Sequence, residues 1–128
     1  MGADSHPFAV TFRQDNPNAT ERTGVYEQAL AFSEQVDTII EAVTARFHLK
    51  DLLDKSATVV ALRIAQAAGE TSKGERRRQY RVARRAATDC AAVLDILTRR
   101  KGVEPGLIAP ARQLVMALVA ELAHLSAR

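Results

Sequence analysis

The sequence predicts an all-α protein, an antiparallel up-and-down four-helix bundle with an N-terminal arm, and three observations carry that expectation. Apolar residues recur every three or four positions over long stretches, as one buried helix face requires. Hydrophobic residues make up 47% of the 128, mostly Ala, Leu and Val, with no Trp, a palette suited to close helix packing. Short segments containing Gly, Pro or a capping serine separate the periodic stretches, so neighbouring helices fold back on one another. A chain of this length closes a single core, which predicts one bundle domain at residues 25–128 behind an arm at 1–24.

Residues 1–24 contain His6-Pro7, Asn16-Pro17-Asn18 and Gly24, with Phe8, Val10 and Phe12 alternating briefly, and read as irregular or extended. From Val25, the residues Ala29, Phe32, Val36, Ile39, Val43 and Phe47 mark a first helix, with Glu34, Asp37 and Glu41 on its other side. His48 then falls at its C-terminal end, where an imidazolium meets the negative pole of the helix dipole. A second helix runs from near Asp51 to Gly69, a residue that tolerates the left-handed backbone closing many helices. Leu53, Val60, Ile64 and Ala67 form its core face, while Leu52, Val59 and Leu62 give a second apolar surface where a polar one is usual.

Ser72-Lys73-Gly74-Glu75 has capping-box spacing and starts a third helix, whose seam is Tyr80, Ala83, Ala87, Cys90, Leu94 and Leu97 and whose stop is Gly102. Pro105 suits the first turn of a fourth helix, and Pro110 predicts a bend or restart. Leu107, Ala111, Leu114, Leu118, Leu122 and Leu125 continue the seam.

Charge is polarised along the chain. The net value is +3, yet residues 70–101 hold ten Lys or Arg against four Asp or Glu. Arg76, Arg77, Arg78, Arg81, Arg84 and Arg85 occupy the first turns of helix 3, flanking the seam on its exposed side. Guanidinium groups in a row on a rigid rod can meet successive phosphates, with binding that weakens as salt rises. The alternative is a solvated face that pairs with acidic residues of helix 1 or of a neighbouring subunit. Neither reading implies recognition of particular bases.

Four helices cover only part of an all-round apolar helix, so the surface of Leu52, Val59 and Leu62 predicts a homo-oligomer interface. Arg63 interrupts that surface and either pairs with an acid across it, points into a central channel, or snorkels to solvent.

Several function classes find no support. A lone cysteine excludes an internal disulfide and a thiolate zinc site within one chain, and the seam position of Cys90 reads as a buried, inert thiol. Glu121-x-x-His124 has the spacing of di-iron carboxylate bundles, but a second copy is missing, so no metal is expected. Neither His6 nor His48 has the neighbouring acid cluster that phosphotransfer calls for. There is no Gly-rich phosphate loop, Ser-His-Asp grouping or pair of inward carboxylates, so neither catalysis nor a cofactor is expected. Met1 to Phe8 do not form a signal sequence, and no stretch approaches the length of a membrane span, which predicts a cytoplasmic protein without membrane contact.

The sequence also resembles the S23-type four-helix bundle family, which includes proteins encoded in intervening sequences of 23S rRNA genes. Val25-Tyr26-Glu27-Gln28-Ala29 is similar to the family's opening VWQKA, with Tyr26 in place of Trp. Arg63-Ile64-Ala65-Gln66-Ala67 resembles its central NIAEG, departing at Arg63, Gln66 and Ala67. Ser72, Glu75, Tyr80, Ala83, Ala86 and Asp89 keep the register of its third-helix pattern. The likeness spans about Val25 to Leu125, and the connection after Phe47 is shorter than the family's. The same superfamily includes the accessory variability protein of diversity-generating retroelements. The resemblance thus implies a basic bundle, a pentamer, association with nucleic acid, RNA ahead of DNA, and a reverse transcriptase as a partner. The leading expectation is a non-enzymatic, homo-oligomeric bundle that holds nucleic acid on helix 3. The competing one is a scaffold or accessory protein acting through protein–protein contacts.

Overall fold

The computed structural model describes residues 19–128, with side chains from Gly24 onward, as four helices: α1 Ala19–Ala42, α2 Phe47–Ala68, α3 Lys73–Arg99 and α4 Pro105–Ala127. The connections 43–46, 69–72 and 100–104 are too short to carry the chain back along the bundle. Four residues span at most about 14 Å, whereas a helix of this length runs for about 33 Å, so successive helices run antiparallel. Cross-links agree: α3 meets α4 at Asp95–Arg112 and again, from the opposite ends, at Arg77–Arg128. α1 packs on α2 and α4, and α3 packs on α2 and α4, while the diagonal pairs α1/α3 and α2/α4 keep their backbones apart.

One core runs the length of this square. Phe32, Ile39, Leu53, Ile64, Leu94, Leu97, Leu118 and Leu122 are almost fully enclosed, and each large aliphatic buried this way stabilises by about 1.5–3 kcal/mol. The whole α3 seam read from the sequence, Tyr80 to Leu97, lies inside it. On α4 the seam is rotated slightly: Ile108 and Val115 are buried, whereas Leu107 and Leu114 are only partly so.

Several boundaries differ from those expected. α1 opens at Ala19 and takes in Gly24, so the helix claims the last residues of the expected arm. Gly24 costs it about 1 kcal/mol relative to alanine, a small penalty in so long a helix. The rest of that arm, with His6, Phe8, Val10 and Phe12, lies outside the described residues.

The chain leaves α1 after Ala42 and turns through Arg46, whose φ of 68° is left-handed. Phe47 therefore opens α2 and is 75% exposed, not a core residue of α1. His48 falls in the first turn of α2, at the positive pole, so it does not cap a C-terminus. The carbonyls there are met instead by Lys50, whose Nζ donates to the Val43 oxygen at 2.9 Å.

The left-handed closure expected at Gly69 is absent, for its φ is −91°. α3 closes through Lys101, with φ 57°, and not through a left-handed Gly102. The Lys101 amide donates to the Thr98 oxygen and the Gly102 amide to the Leu97 oxygen at 2.8 Å, a Schellman closure. Gly102 suits that turn by its bareness, since an added Cβ would stand 3.3 Å from Leu97 Cδ2.

α4 passes Pro110 without a restart. That proline is exposed, in the second turn, so the hydrogen bond it cannot make leaves a carbonyl near the surface. α4 is also long and apolar enough to cross a membrane by length and composition, contrary to the expectation that no stretch is. Pro105–Ala127 carries only Arg112 and Glu121 as charged residues, and its inner side is the seam packed on α1 and α3.

Candidate nucleic-acid interface

α3 begins at a side-chain cap. Ser72 Oγ accepts the Glu75 amide at 3.3 Å and fixes the first turn. The Glu75 carboxylate does not close the expected box but turns outward to the Arg78 guanidinium at 3.1 Å.

The six arginines then divide by what they touch. Arg76 and Arg77 are half-buried, against the expectation of exposure. Arg76 donates to the Glu70 carbonyl at 3.0 Å and the Thr71 carbonyl at 3.4 Å, holding the α2–α3 connection. Arg77 donates to the Arg128 carbonyl oxygen at 3.4 Å, where α4 ends beside the start of α3. Arg78 is exposed, and Glu75, through its hydrogen bonds and its charge, raises its pKa and holds its guanidinium in an ion pair.

Arg81, Arg84 and Arg85 are exposed, and their guanidinium groups have no hydrogen bond or ion pair among the described residues. With Val82, Thr88 and Asp89 they line an open depression on the outer side of α3. Thr88 and Asp89 were not singled out from the sequence as interface residues, although Asp89 stands one turn beyond Arg85 and helical spacing alone places it there.

The expected pairing of these arginines with α1 of the same chain does not occur among the described residues. Between residues 24 and 42, α1 carries Glu27, Glu34, Asp37 and Glu41, all exposed, and no Lys or Arg. It sits diagonally across the bundle from α3, so these four acids and the α3 arginines lie on opposite sides of the bundle.

On α2, Leu52 and Leu62 remain 39% and 51% exposed, while Val59 is partly buried against the core. Arg63 turns toward α3 and donates to Gln79 Oε1 at 3.1 Å, a bond within the chain that the sequence did not lead one to expect. The bond satisfies a side chain that is otherwise enclosed, since Gln79 is 5% exposed. A further uncharged surface lies on α4, where Ala109, Pro110, Gln113, Met116, Ala117 and Ala120 are all exposed.

Cys90 is fully enclosed, and burial, with a contribution from Asp89, pushes its thiol up to about 12, far from the range of a nucleophile. Glu121 is half-buried and His124 exposed, and no cluster of three or more metal-ligating side chains forms among the described residues.

No known family model matches this chain, and no curated protein matches it. The likeness to S23-type bundles rests on the quoted residue patterns alone.

Proposed function

We propose that this chain is a non-catalytic helical bundle that binds nucleic acid through α3, and that it works as a homo-oligomer. The observation that carries the reading is the set of three exposed guanidinium groups, Arg81, Arg84 and Arg85, without partners among the described residues on the outer side of α3. Arginines held this way meet phosphate oxygens without first breaking an internal bond. Arg76, Arg77 and Arg78 position the helix or are already paired, so they contribute less to binding than their number suggests. RNA stands ahead of DNA as the ligand on the strength of the S23-type resemblance, which also motivates a pentamer, a reverse transcriptase partner and a cytoplasmic setting.

The test is direct titration of the purified protein with RNA and DNA, alongside the variant Arg81→Gln/Arg84→Gln/Arg85→Gln. Wild type should bind, and the variant should lose affinity and flatten the salt dependence by about 0.7–0.9 log units per contact removed. Equal binding by both proteins would overturn the reading.

A second reading, a scaffold acting through protein contacts, is favoured by Leu52 and Leu62, which leave apolar surface uncovered on α2. Light scattering decides the assembly component of either reading, because a strictly monomeric protein at all concentrations would remove it. A protein that assembles yet binds no nucleic acid would favour the scaffold.

A further inference from the structure

We infer that the α3 ridge takes the paired backbones of a nucleic-acid duplex in preference to a single strand. This rests on the nucleic-acid reading above and names the form of ligand that the ridge suits. The first argument is charge density. Arg81, Arg84 and Arg85 place three guanidinium groups without partners among the described residues within a five-residue span, about 6 Å of helix axis. A duplex presents one phosphate charge per about 1.7 Å of its axis and a single strand about half that density. A 6 Å length of duplex thus offers roughly three to four charges, against fewer than two from one strand. Three cations at this spacing are matched more closely by two backbones than by one.

The second argument is that, among the described residues, no exposed aromatic ring lies along α3 for a base to stack on. Single-strand binders draw about 1–3 kcal/mol per base from aromatic platforms. The only aromatic residue of α3 is Tyr80, which is 2% exposed and faces the core. The exposed aromatic Phe47 stands at the start of α2, at the far end of the bundle from the α2–α3 connection that leads into the ridge. The depression along the ridge is lined by Val82, Thr88 and Asp89 besides the arginines, so it offers methyl groups, a hydroxyl and one carboxylate but no ring.

Asp89 works against the duplex preference, which makes its removal part of the test. Its carboxylate lies among the cations and repels whatever phosphate approaches, a penalty that falls more heavily on the ligand with more phosphates per unit length.

The experiment titrates the full chain with a mixed-sequence RNA duplex of about 16 base pairs, with each of its two strands alone, and with the matching DNA set, at several salt concentrations. Duplex binding should exceed that of either strand by about tenfold, with a salt slope near −2.7 for three phosphate contacts. Arg81→Gln/Arg84→Gln/Arg85→Gln should erase the preference, and Asp89→Asn should tighten duplex binding more than strand binding. All of these positions are exposed, so unchanged circular dichroism and melting confirm that the variants fold.

Equal or tighter binding to the single strands, lost in the triple variant, would overturn this inference while leaving the nucleic-acid reading intact. No binding to any of the six ligands would sink both. RNA and DNA duplexes bound alike would support the inference and remove the preference for RNA.

Discussion

α2 and α3 share the most extensive helix–helix contact in the bundle, yet they turn opposite chemistries outward. Inside, Leu53, Val60, Ile64 and Ala67 face Ala83, Ala87, Cys90 and Leu94, and the two sides are interchangeable in kind. Outside, α2 shows Leu52 and Leu62 beside Asp51, Asp54 and Lys55, whereas α3 shows Arg81, Arg84 and Arg85 beside Asp89. The inward faces specify a four-helix fold and carry no information about a ligand. Whatever distinguishes this bundle from others is written on the outward faces, where a substitution changes stability little.

That contrast can be broken by experiment. Leu53→Ala and Leu94→Ala should each destabilise by about 2–5 kcal/mol in urea unfolding, because both side chains are wholly enclosed. A loss in one much smaller than in the other would show that the two faces are not equivalent. Ser72→Ala comes next, with an expected loss of about 1 kcal/mol, since its hydroxyl accepts the Glu75 amide. That loss should come with weaker nucleic-acid binding if the first turn holds the ridge in place.

Cys90 adds a dependence on pH from within the α3 seam. Burial holds the folded thiol near 12, whereas the unfolded one ionises near 9.0. Above 9.0 the unfolded chain releases a proton that the folded chain keeps, so this contribution is complete below that pH and is lost as pH climbs toward about 12. Cys90→Ala should make the urea midpoint fall less steeply with alkaline pH, and identical slopes for both proteins would count against a buried thiol.

The smallest effects belong to the outward faces. Arg85→Gln and Leu62→Ala should each stay within about 0.5 kcal/mol of wild type at high dilution. A larger loss for Leu62→Ala that grows with protein concentration would assign that leucine to an interface between copies.

The inward half of this molecule was legible in the sequence because a buried seam repeats. Tyr80 through Leu97 needed only the period of a helix to be found. The same rule failed at Phe47, which continues the spacing of Val36, Ile39 and Val43 but lies beyond a turn. Arg46 makes that turn with a left-handed backbone and no glycine or proline to announce it. Lys101 hides the end of α3 in the same way, beside a glycine that looks like the closing residue.

The exposure of Arg81, Arg84 and Arg85 was likewise legible, but the engagement of Arg76, Arg77 and Arg63 was not. Their partners are the Glu70 and Arg128 carbonyls and the Gln79 amide, and only the assembled bundle brings those atoms within reach. The Glu75–Arg78 bond was available to helical spacing, three residues apart, and was eclipsed by the competing capping-box pattern.

The diagonal placement of α1 and α3 has a consequence before any contact is made. With the carboxylates of residues 24–42 on one helix and Arg81, Arg84 and Arg85 on the helix diagonally opposite, these two elements contribute a dipole across the long axis of the bundle. On the nucleic-acid reading, a polyanion's field would exert a torque on that dipole during approach and turn the arginine edge forward. Added salt slows that encounter by shortening the range over which the turning begins.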